Sequence, residues 1–208
     1  MPVDVSRIPQ RLKIERRWVC WRAENETKVP YQANSPKRKA SSTRSHEWAN
    51  FEDALASYSS NDFDGIGFCL GDGYVGIDID QCVSNGHVCK EAQEIVDNIK
   101  SYAEISPSGT GVRVMLIATK RMTRCQTVPS WCKKLETYGW TRYLTITGDA
   151  INVHDVEQAD EAYQDFCSKW FSDQAIPVDD VGDIHPIRGA VAPFAVKLAM
   201  DDAAFRQT

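Results

Sequence analysis

The sequence lacks the features that mark membrane and secreted proteins. It contains no uninterrupted run of roughly 18 apolar residues, and its N-terminus has no basic segment followed by an apolar one. The seven cysteines are an odd number scattered along the chain, which suits a reducing compartment better than a disulfide framework. We therefore expect a soluble, cytoplasmic protein without a membrane partner.

Internal repeats and long low-complexity tracts are absent as well. Apolar residues make up 42% of the chain and include six tryptophans, which is enough for one packed core. We expect one domain over residues 1–175. Residues 176–208 are predicted to form a linker and the start of a C-terminal helical element that the end of the chain cuts short.

Charged residues are unevenly distributed, although the formal net charge is only −5. Residues 1–50 carry eleven Lys and Arg against five Asp and Glu, and residues 120–142 carry six against Glu136 alone. Such runs most often form ordinary solvated surface, but they also permit an anionic partner. The acidic mean therefore does not exclude nucleic acid.

Hydrophobic periodicity and turn residues predict interleaved short strands and helices. Strands are predicted at residues 16–24, 65–70, 74–80, 103–106, 112–118, 134–138 and 142–147. Helices are predicted at residues 6–13, 45–60, 89–102 and 156–171, with residues 25–44 as a long loop. This order indicates an α+β or mixed α/β domain with a largely antiparallel sheet.

Two acids end one of these strands, in "GYVGIDIDQC". Asp78 and Asp80 alternate with isoleucines, so both carboxylates project from the same face. Either they extend into solvent at the strand end, or a positive group lies between them. A third acid, Glu136, lies in the strand "KKLETYG". Three carboxylates on neighbouring strands suit one or two Mg²⁺ or Mn²⁺ ions, and a metal pair suits phosphoryl transfer.

A serine- and glycine-rich turn lies in "EISPSGTGVRVML". Gly109 and Gly111 allow the backbone to approach a ligand, and the hydroxyls of Ser106 and Ser108 can donate to phosphate. Arg113 then begins a strand as a fixed cation. Taken alone, the pattern is equally that of a common hairpin turn followed by a surface arginine.

A third segment, "YGWTRYLTITGD", reads as a strand with a polar face. Thr145 and Thr147 share that face, and Arg142 begins the strand. An ordinary strand with its threonines in solvent has the same pattern.

Together, in this order, these segments resemble the bifunctional primase–polymerases of phages and plasmids, within the archaeo-eukaryotic primase superfamily. The resemblance also takes in "WVCWRAE", "TKVPYQ" and "RKASSTRSHEWANFEDALASY", and it covers roughly residues 17–148. It implies an α+β primase–polymerase fold with a mainly antiparallel, RNA-recognition-motif-like catalytic core flanked by helices.

The same resemblance implies roles for individual residues. Asp78, Asp80 and Glu136 match the catalytic, metal-binding acids. Implied contacts to the nucleotide or template are Ser106, Ser108, Gly109, Arg113, Arg142, Lys28 and Thr147. Many relatives have His where this chain has Arg113. Arginine binds phosphate in a bidentate manner but does not titrate near neutral pH, so a proton-transfer role at this position is in doubt.

The reaction that the resemblance implies is templated nucleotidyl transfer. A primer 3′-hydroxyl, or that of the first nucleotide, attacks the α-phosphate of an incoming nucleoside triphosphate, and pyrophosphate leaves. The implied partners are a single-stranded DNA template with its primer, nucleoside triphosphates and a replicative helicase, in a bacterial or phage-infected cell. Two alternatives stay open: an inactive single-stranded nucleic-acid-binding module and a metal-dependent nuclease. The intact acids argue against the first, and the "SPSGTGVR" loop argues against the second.

The cysteines raise the question of zinc. Cys82 and Cys89 are separated by six residues, and so are Cys125 and Cys132. This spacing is wider than that of the usual zinc knuckle. We therefore expect free structural cysteines and no zinc.

Overall fold

The structure is a computed structural model that describes residues 2–25, 27–119 and 124–172. The predicted linker and helical element at 176–208 lie outside the described residues, as do Lys120 and Arg121 of the basic segment. The boundary near residue 175 therefore stays a prediction.

Short strands alternate with helices along the described chain. The strands are β1 Trp18–Glu24, β2 Thr27–Gln32, β3 Ser35–Lys39, β4 Gly65–Cys69, β5 Tyr74–Asp80, β6 Val83–Ser84, β7 His87–Val88, β8 Ala103–Ile105, β9 Val112–Ile117, β10 Arg124–Thr127, β11 Lys134–Tyr138 and β12 Tyr143–Ile146. The helices are α1 Gln10–Lys13, α2 Phe51–Ser60, α3 Lys90–Ile99 and α4 Asp160–Phe171, with 3₁₀ turns at Val5–Arg7 and Ser45–Glu47.

The strands form two five-stranded sheets, where the sequence predicted one. The first has the order β12-β4-β1-β2-β3 and the second the order β10-β11-β5-β9-β8, while β6 and β7 form a separate hairpin. Every ladder between the described strands is antiparallel. The α+β class with antiparallel pairing is therefore confirmed.

The glycine turn between β4 and β5 carries the chain from one sheet to the other. Gly71, Asp72 and Gly73 all have positive φ angles, of 120°, 50° and 94°. The buried guanidinium of Arg17 binds the Asp72 carboxylate and the carbonyl of Leu70, 3.5 Å away. The sequence pattern of two strands joined by a glycine turn is that of a hairpin, but here the turn places β4 and β5 in different sheets.

The long loop predicted at residues 25–44 is wrong, because β2 and β3 lie there. Pro30 is in register with Trp21 of β1, and its carbonyl accepts a hydrogen bond from the Ala40 backbone, at 2.8 Å. β3 is an edge strand whose Lys37–Lys39 side chains are exposed. Basic residues and proline are characteristic of sheet edges, and they give such a strand the composition of a loop.

The helices begin later than the sequence pattern suggests. The segment predicted at 6–13 is interrupted before α1, and the Asp4 side chain caps the preceding 3₁₀ turn. Asn50 caps α2, accepting a hydrogen bond from the Asp53 backbone at 2.7 Å. These side chains satisfy backbone donors that a helix leaves unpaired at its start.

Each sheet has its own helical partner. Trp18 of β1 is fully buried and makes edge-on ring contacts with Phe51 of α2 and Phe68 of β4. In the second sheet, Ile77 and Ile79 belong to the apolar cluster that includes residues of α3 and α4. The opposite face of β5, which carries both aspartates, is thereby left for the first sheet and the solvent.

The edge strand β12 of the first sheet lies against that opposite face. A Cβ on Gly76 of β5 would sit 2.3 Å from Leu144 Cδ1, so the absence of a side chain there lets the sheets approach. Beyond β12, the fully buried Glu104 of β8 accepts hydrogen bonds from the backbone N–H groups of Thr147 (3.0 and 3.1 Å) and Gly148 (2.9 Å). The Tyr102 hydroxyl donates to the same carboxylate at 2.7 Å.

We predict that Glu104→Ala destabilises the protein by about 2–5 kcal/mol, because it leaves buried N–H groups of Thr147 and Gly148 without an acceptor. Tyr102→Phe is the matched control, since it removes a single hydrogen bond and should cost about 1 kcal/mol. Urea unfolding followed by tryptophan fluorescence measures both. Equal losses in the two variants would contradict the role of Glu104 as the junction of the sheets.

Candidate active site

The acids predicted from the sequence come together on one face of the second sheet. Glu136 of β11 lies directly opposite Asp78 of β5, and Lys134 lies opposite Asp80. On the other side of Asp78, β9 places Arg113 in register with it. The strand order therefore sets three acids and two cations side by side. Asp80 has Lys134 opposite it on β11 and Asp78 two residues before it on β5.

Both carboxylate oxygens of Glu136 bind cations. Oε2 lies 2.6 Å from Lys134 Nζ, and Oε1 lies 3.2 Å from Arg124 Nη2. Burial raises the pKa of Glu136, but hydrogen bonds from Lys134, Tyr138 and Arg124 outweigh it and hold that pKa below its usual value. Glu136 is therefore an anion at neutral pH, and its charge is matched locally.

The pKa of Asp80 is shifted in the opposite direction from that of Glu136. Burial, followed by the charge of Asp78, raises its pKa, while Lys134 acts against the rise from 3.9 Å away. Two like charges on one strand face thus repel, as the sequence indicates, and the surrounding cations offset only part of that repulsion.

A cleft of about 390 Å³ lies over these acids. Its basic lining residues are Lys28, Arg113, Lys134 and Arg142, and its aromatic ones are Tyr138 and Tyr143. Arg142 lies 5.0 Å from the centre of the Tyr138 ring, and the Tyr143 hydroxyl donates to the Lys28 carbonyl at 2.6 Å. The structure therefore brings the predicted Lys28, Arg113 and Arg142 to the three predicted acids.

Arg113 is more constrained than the sequence suggests. Its side chain is buried, with Nε 3.3 Å from Asp78 Oδ1 and Nη1 2.8 Å from the Thr145 carbonyl oxygen. Nη1 also binds the Thr145 hydroxyl. The guanidinium therefore connects the two sheets and presents a fixed positive charge at the base of the cleft.

The serine–glycine loop lies beside the cleft and not in its lining. The hydroxyls of Ser106 and Ser108 are 3.0 Å apart, and Ser106 Oγ accepts the Gly111 N–H at 3.2 Å. A Cβ on Gly111 would lie 2.7 Å from the Ile79 carbonyl, whereas Gly109 has a positive φ of 73° and open space around it. The loop thus packs against the end of β5, next to Asp80, and its ligand contacts stay a prediction.

Thr147 points away from the cleft. It is buried, and its hydroxyl donates to the Ile105 carbonyl at 3.0 Å. Thr145, two residues earlier, lines the cleft instead. The contact of its hydroxyl with Ile105 is structural, and nucleotide contact by Thr147 stays a prediction.

Sequence reasoning did not single out Lys134 and Tyr138 as site residues. Both lie two positions from Glu136 on the same strand and therefore share its face. That alternation is the signal that identifies them. Arg124 is different, because only the pairing of β10 with β11 brings it near Glu136.

The donor set suits a hard divalent cation in its chemistry, since it offers three carboxylates on one face. In residues 2–25, 27–119 and 124–172, however, no three or more His, Cys, Asp or Glu side chains are arranged to hold a metal ion. Both oxygens of Glu136 face Lys134 and Arg124 instead. Binding of Mg²⁺ or Mn²⁺ by these carboxylates stays a prediction.

The cysteines are free thiols. Burial raises the pKa of Cys82 to about 12 and of Cys132 to about 11. Cys82 and Cys89 flank the small hairpin of β6 and β7, whereas Cys125 lies on β10. The expectation that these cysteines bind no zinc stays a prediction.

Comparison with known proteins shows a similarity to a phage protein. Over 151 residues, 66% of its length, the chain is 37% identical to a protein of Nitratiruptor phage NrS-1 described as a DNA primase-polymerase. The chain spans about a fifth of that protein, since the match covers 20% of it. No family model matches the chain. The resemblance to phage primase–polymerases predicted from the motifs is thereby confirmed.

None of the helices within residues 2–25, 27–119 and 124–172 has both the length and the apolar character that crossing a bilayer requires.

We predict that the Lys28 ammonium loses its proton at about pH 8, because burial, and then the charge of Arg113, lowers its pKa to about 8. An NMR titration of ¹³C-lysine-labelled protein should show one such signal, which Lys28→Arg removes. Unfolded lysine has a pKa of about 10.4. The unfolded chain therefore binds more protons between these values, and the free energy of unfolding should rise with pH across that window.

Lys28→Met should lose that rise in urea unfolding measured at a series of pH values. A titration in which no lysine signal moves below about pH 9 would refute the prediction.

Proposed function

We propose that this chain is the catalytic domain of a DNA primase–polymerase, which synthesises primers and extends them on single-stranded DNA. The observation that carries the proposal is the alignment of Glu136 with Asp78 on neighbouring strands, with Asp80 two residues further, under a cleft lined by basic residues. The similarity to a phage DNA primase-polymerase supports it.

The proposed fold is that of the archaeo-eukaryotic primases, with an RNA-recognition-motif-like core. The second sheet supports this, because it is antiparallel and carries an apolar face with residues of α3 and α4. Its other face carries the acids. The proposal requires a sheet that packs helices on one face and carries the catalytic residues on the other.

The carboxylates of Asp78, Asp80 and Glu136 would hold one or two divalent ions, Mg²⁺ or Mn²⁺. Such ions, when bound, activate the attacking hydroxyl and stabilise the charge of the phosphates. The role of the protein is to fix the carboxylates on rigid strands. Divalent-metal dependence is part of the proposal.

The cations of the cleft bind and orient the triphosphate. Arg113 is held by Asp78 and Thr145, so its charge is preorganised and needs no reorientation when phosphate arrives. Lys28 and Arg142 lie on the same cleft lining and add positive charge. The serine–glycine loop beside Asp80 supplies hydroxyl and backbone donors at the edge of the cleft.

The template is proposed to contact the basic N-terminal region. Edge strand β3 presents the exposed Lys37–Lys39 side chains. Backbone contacts of this kind are independent of sequence and weaken as salt rises. A helicase partner, implied by the family resemblance, stays a prediction.

A primer-extension assay tests the function. The full chain is incubated with a primed single-stranded DNA, nucleoside triphosphates and Mg²⁺ or Mn²⁺, and parallel reactions omit the primer. We expect extension that falls by at least about 100-fold in the Asp78→Ala, Asp80→Ala double variant, since metal-held charge stabilisation is worth several kcal/mol. Products without a primer would establish priming.

A matched control double variant is Asp97→Ala, Asp165→Ala. These exposed acids lie on α3 and α4, across the sheet from the cleft, so extension should be retained. Retention of DNA without synthesis would favour a binding module instead. Shortened template that depends on Asp78 and Asp80 would favour a nuclease.

A further inference from the structure

We propose that Lys134 is a built-in counter-ion of the acidic cluster, which binds the carboxylates in the metal-free protein and competes with the divalent cation for them. The inference rests on the proposed function, because it assumes that the acids of the cleft bind metal. It assigns to Lys134 the control of metal affinity.

The position of Lys134 follows from strand geometry. It precedes Glu136 by two residues on β11, so both side chains project from one face, and it lies in register with Asp80 of β5. Its Nζ is 2.6 Å from Glu136 Oε2 and 3.9 Å from Asp80 Oδ2. A single ammonium group therefore bridges two of the three acids proposed to bind metal.

The bridge has an electrostatic reason. Glu136 has only 3% of its side chain exposed, and its strand neighbour is another acid, Asp78. Like charges on neighbouring strands repel each other, so the cluster needs a cation when metal is absent. Lys134, with 35% of its side chain exposed, supplies that charge and retains access to solvent.

The same contact opposes metal binding. A divalent ion that takes Glu136 Oε2 as a ligand displaces the ammonium from 2.6 Å, because two cations repel at such range. The binding free energy of the metal is therefore reduced by that of the ion pair. An ion pair with one partly exposed partner is worth up to about 1 kcal/mol, which corresponds to about a three- to fivefold change in the dissociation constant.

Two other cations of the site serve as controls. Arg124 is half exposed, reaches Glu136 Oε1 at 3.2 Å and also donates to Gln126 at 2.9 Å, but it makes no bridge to Asp80. Lys28 lines the same cleft and feels the charges of Asp78 and Asp80, but within the described residues it forms no ion pair of 4.0 Å or less with an acid. If Lys134 competes with the metal for the carboxylates, substitution of Arg124 or Lys28 should change metal affinity less than substitution of Lys134.

The test measures binding of Mn²⁺ to the EDTA-treated full chain by isothermal titration calorimetry, without nucleotide or DNA. We expect Lys134→Met to bind Mn²⁺ about three- to fivefold more tightly than the natural chain, and Arg124→Gln and Lys28→Met less than about twofold more tightly. Tighter binding is a gain that a merely damaged site would not produce.

Thermal unfolding gives a second readout. In EDTA, Lys134→Met should melt at a lower temperature than the natural chain, because two acids lose their bridging cation. Addition of Mn²⁺ should then raise its melting temperature by more than it raises that of the natural chain.

The outcomes separate this inference from the proposed function. Equal Mn²⁺ affinity in Lys134→Met and Lys28→Met overturns the counter-ion role, while Mn²⁺ binding that Asp78→Asn, Asp80→Asn abolishes upholds the metal site. If Lys134→Met binds Mn²⁺ and the natural chain does not, the counter-ion role is supported, because Lys134 then prevents metal binding completely. Absence of Mn²⁺ binding in both the natural chain and Lys134→Met overturns the counter-ion role, while the primer-extension assay decides the proposed function separately.

Discussion

The antiparallel register of β11, β5, β9 and β8 is the constraint on which the rest of the structure depends. It aligns Glu136, Asp78, Arg113 and Glu104 in one row across the second sheet, on a single face. Neighbouring strands are about 4.8 Å apart, so each charge acts directly on the next. The neighbouring acids Glu136 and Asp78 need cations besides Arg113, and Lys134 and Arg124 supply them at Glu136.

The two ends of the row have different environments and therefore different roles. At the buried end, Glu104 accepts backbone N–H groups from the end of β12 and joins the sheets. At the open end, Glu136 and Asp78 face the cleft. Arg113 lies between them and binds both Asp78 and Thr145, so that the junction and the proposed site share one side chain. The separation of the sheets and the geometry of the site are thus coupled.

What the sequence reveals depends on how local each feature is. The alternation of Ile77 and Ile79 with the aspartates is a property of one strand, and it correctly predicts the acidic face. The ion pair of Arg113 with Asp78 joins positions 35 residues apart, and it follows only from the register of β9 with β5. No alternation within either segment contains that information.

Two features could not be predicted from the sequence: the edge strand β3 and the inward direction of the Thr147 side chain. The polar composition of β3 is what a sheet edge tolerates, so propensity alone predicts a loop there. Thr145 and Thr147 share a strand face by alternation, yet only Thr145 lines the cleft, because β12 ends at Ile146 and Thr147 binds the Ile105 carbonyl. The end of a strand is where a periodic pattern stops predicting direction.

The charge balance of the cleft bears on how a metal and a nucleotide would enter it. Lys28, Arg113, Lys134 and Arg142 face three acids, so the lining is close to neutral as a whole while being strongly charged locally. A divalent ion alone meets the cations, and a triphosphate alone meets the acids, so each is opposed by part of the lining. A metal–nucleotide pair satisfies both sets at once, with the metal at the carboxylates and the phosphates at the basic side chains. Arg113 links the two sets, because its guanidinium pairs with Asp78 and also lines the cleft as a cation.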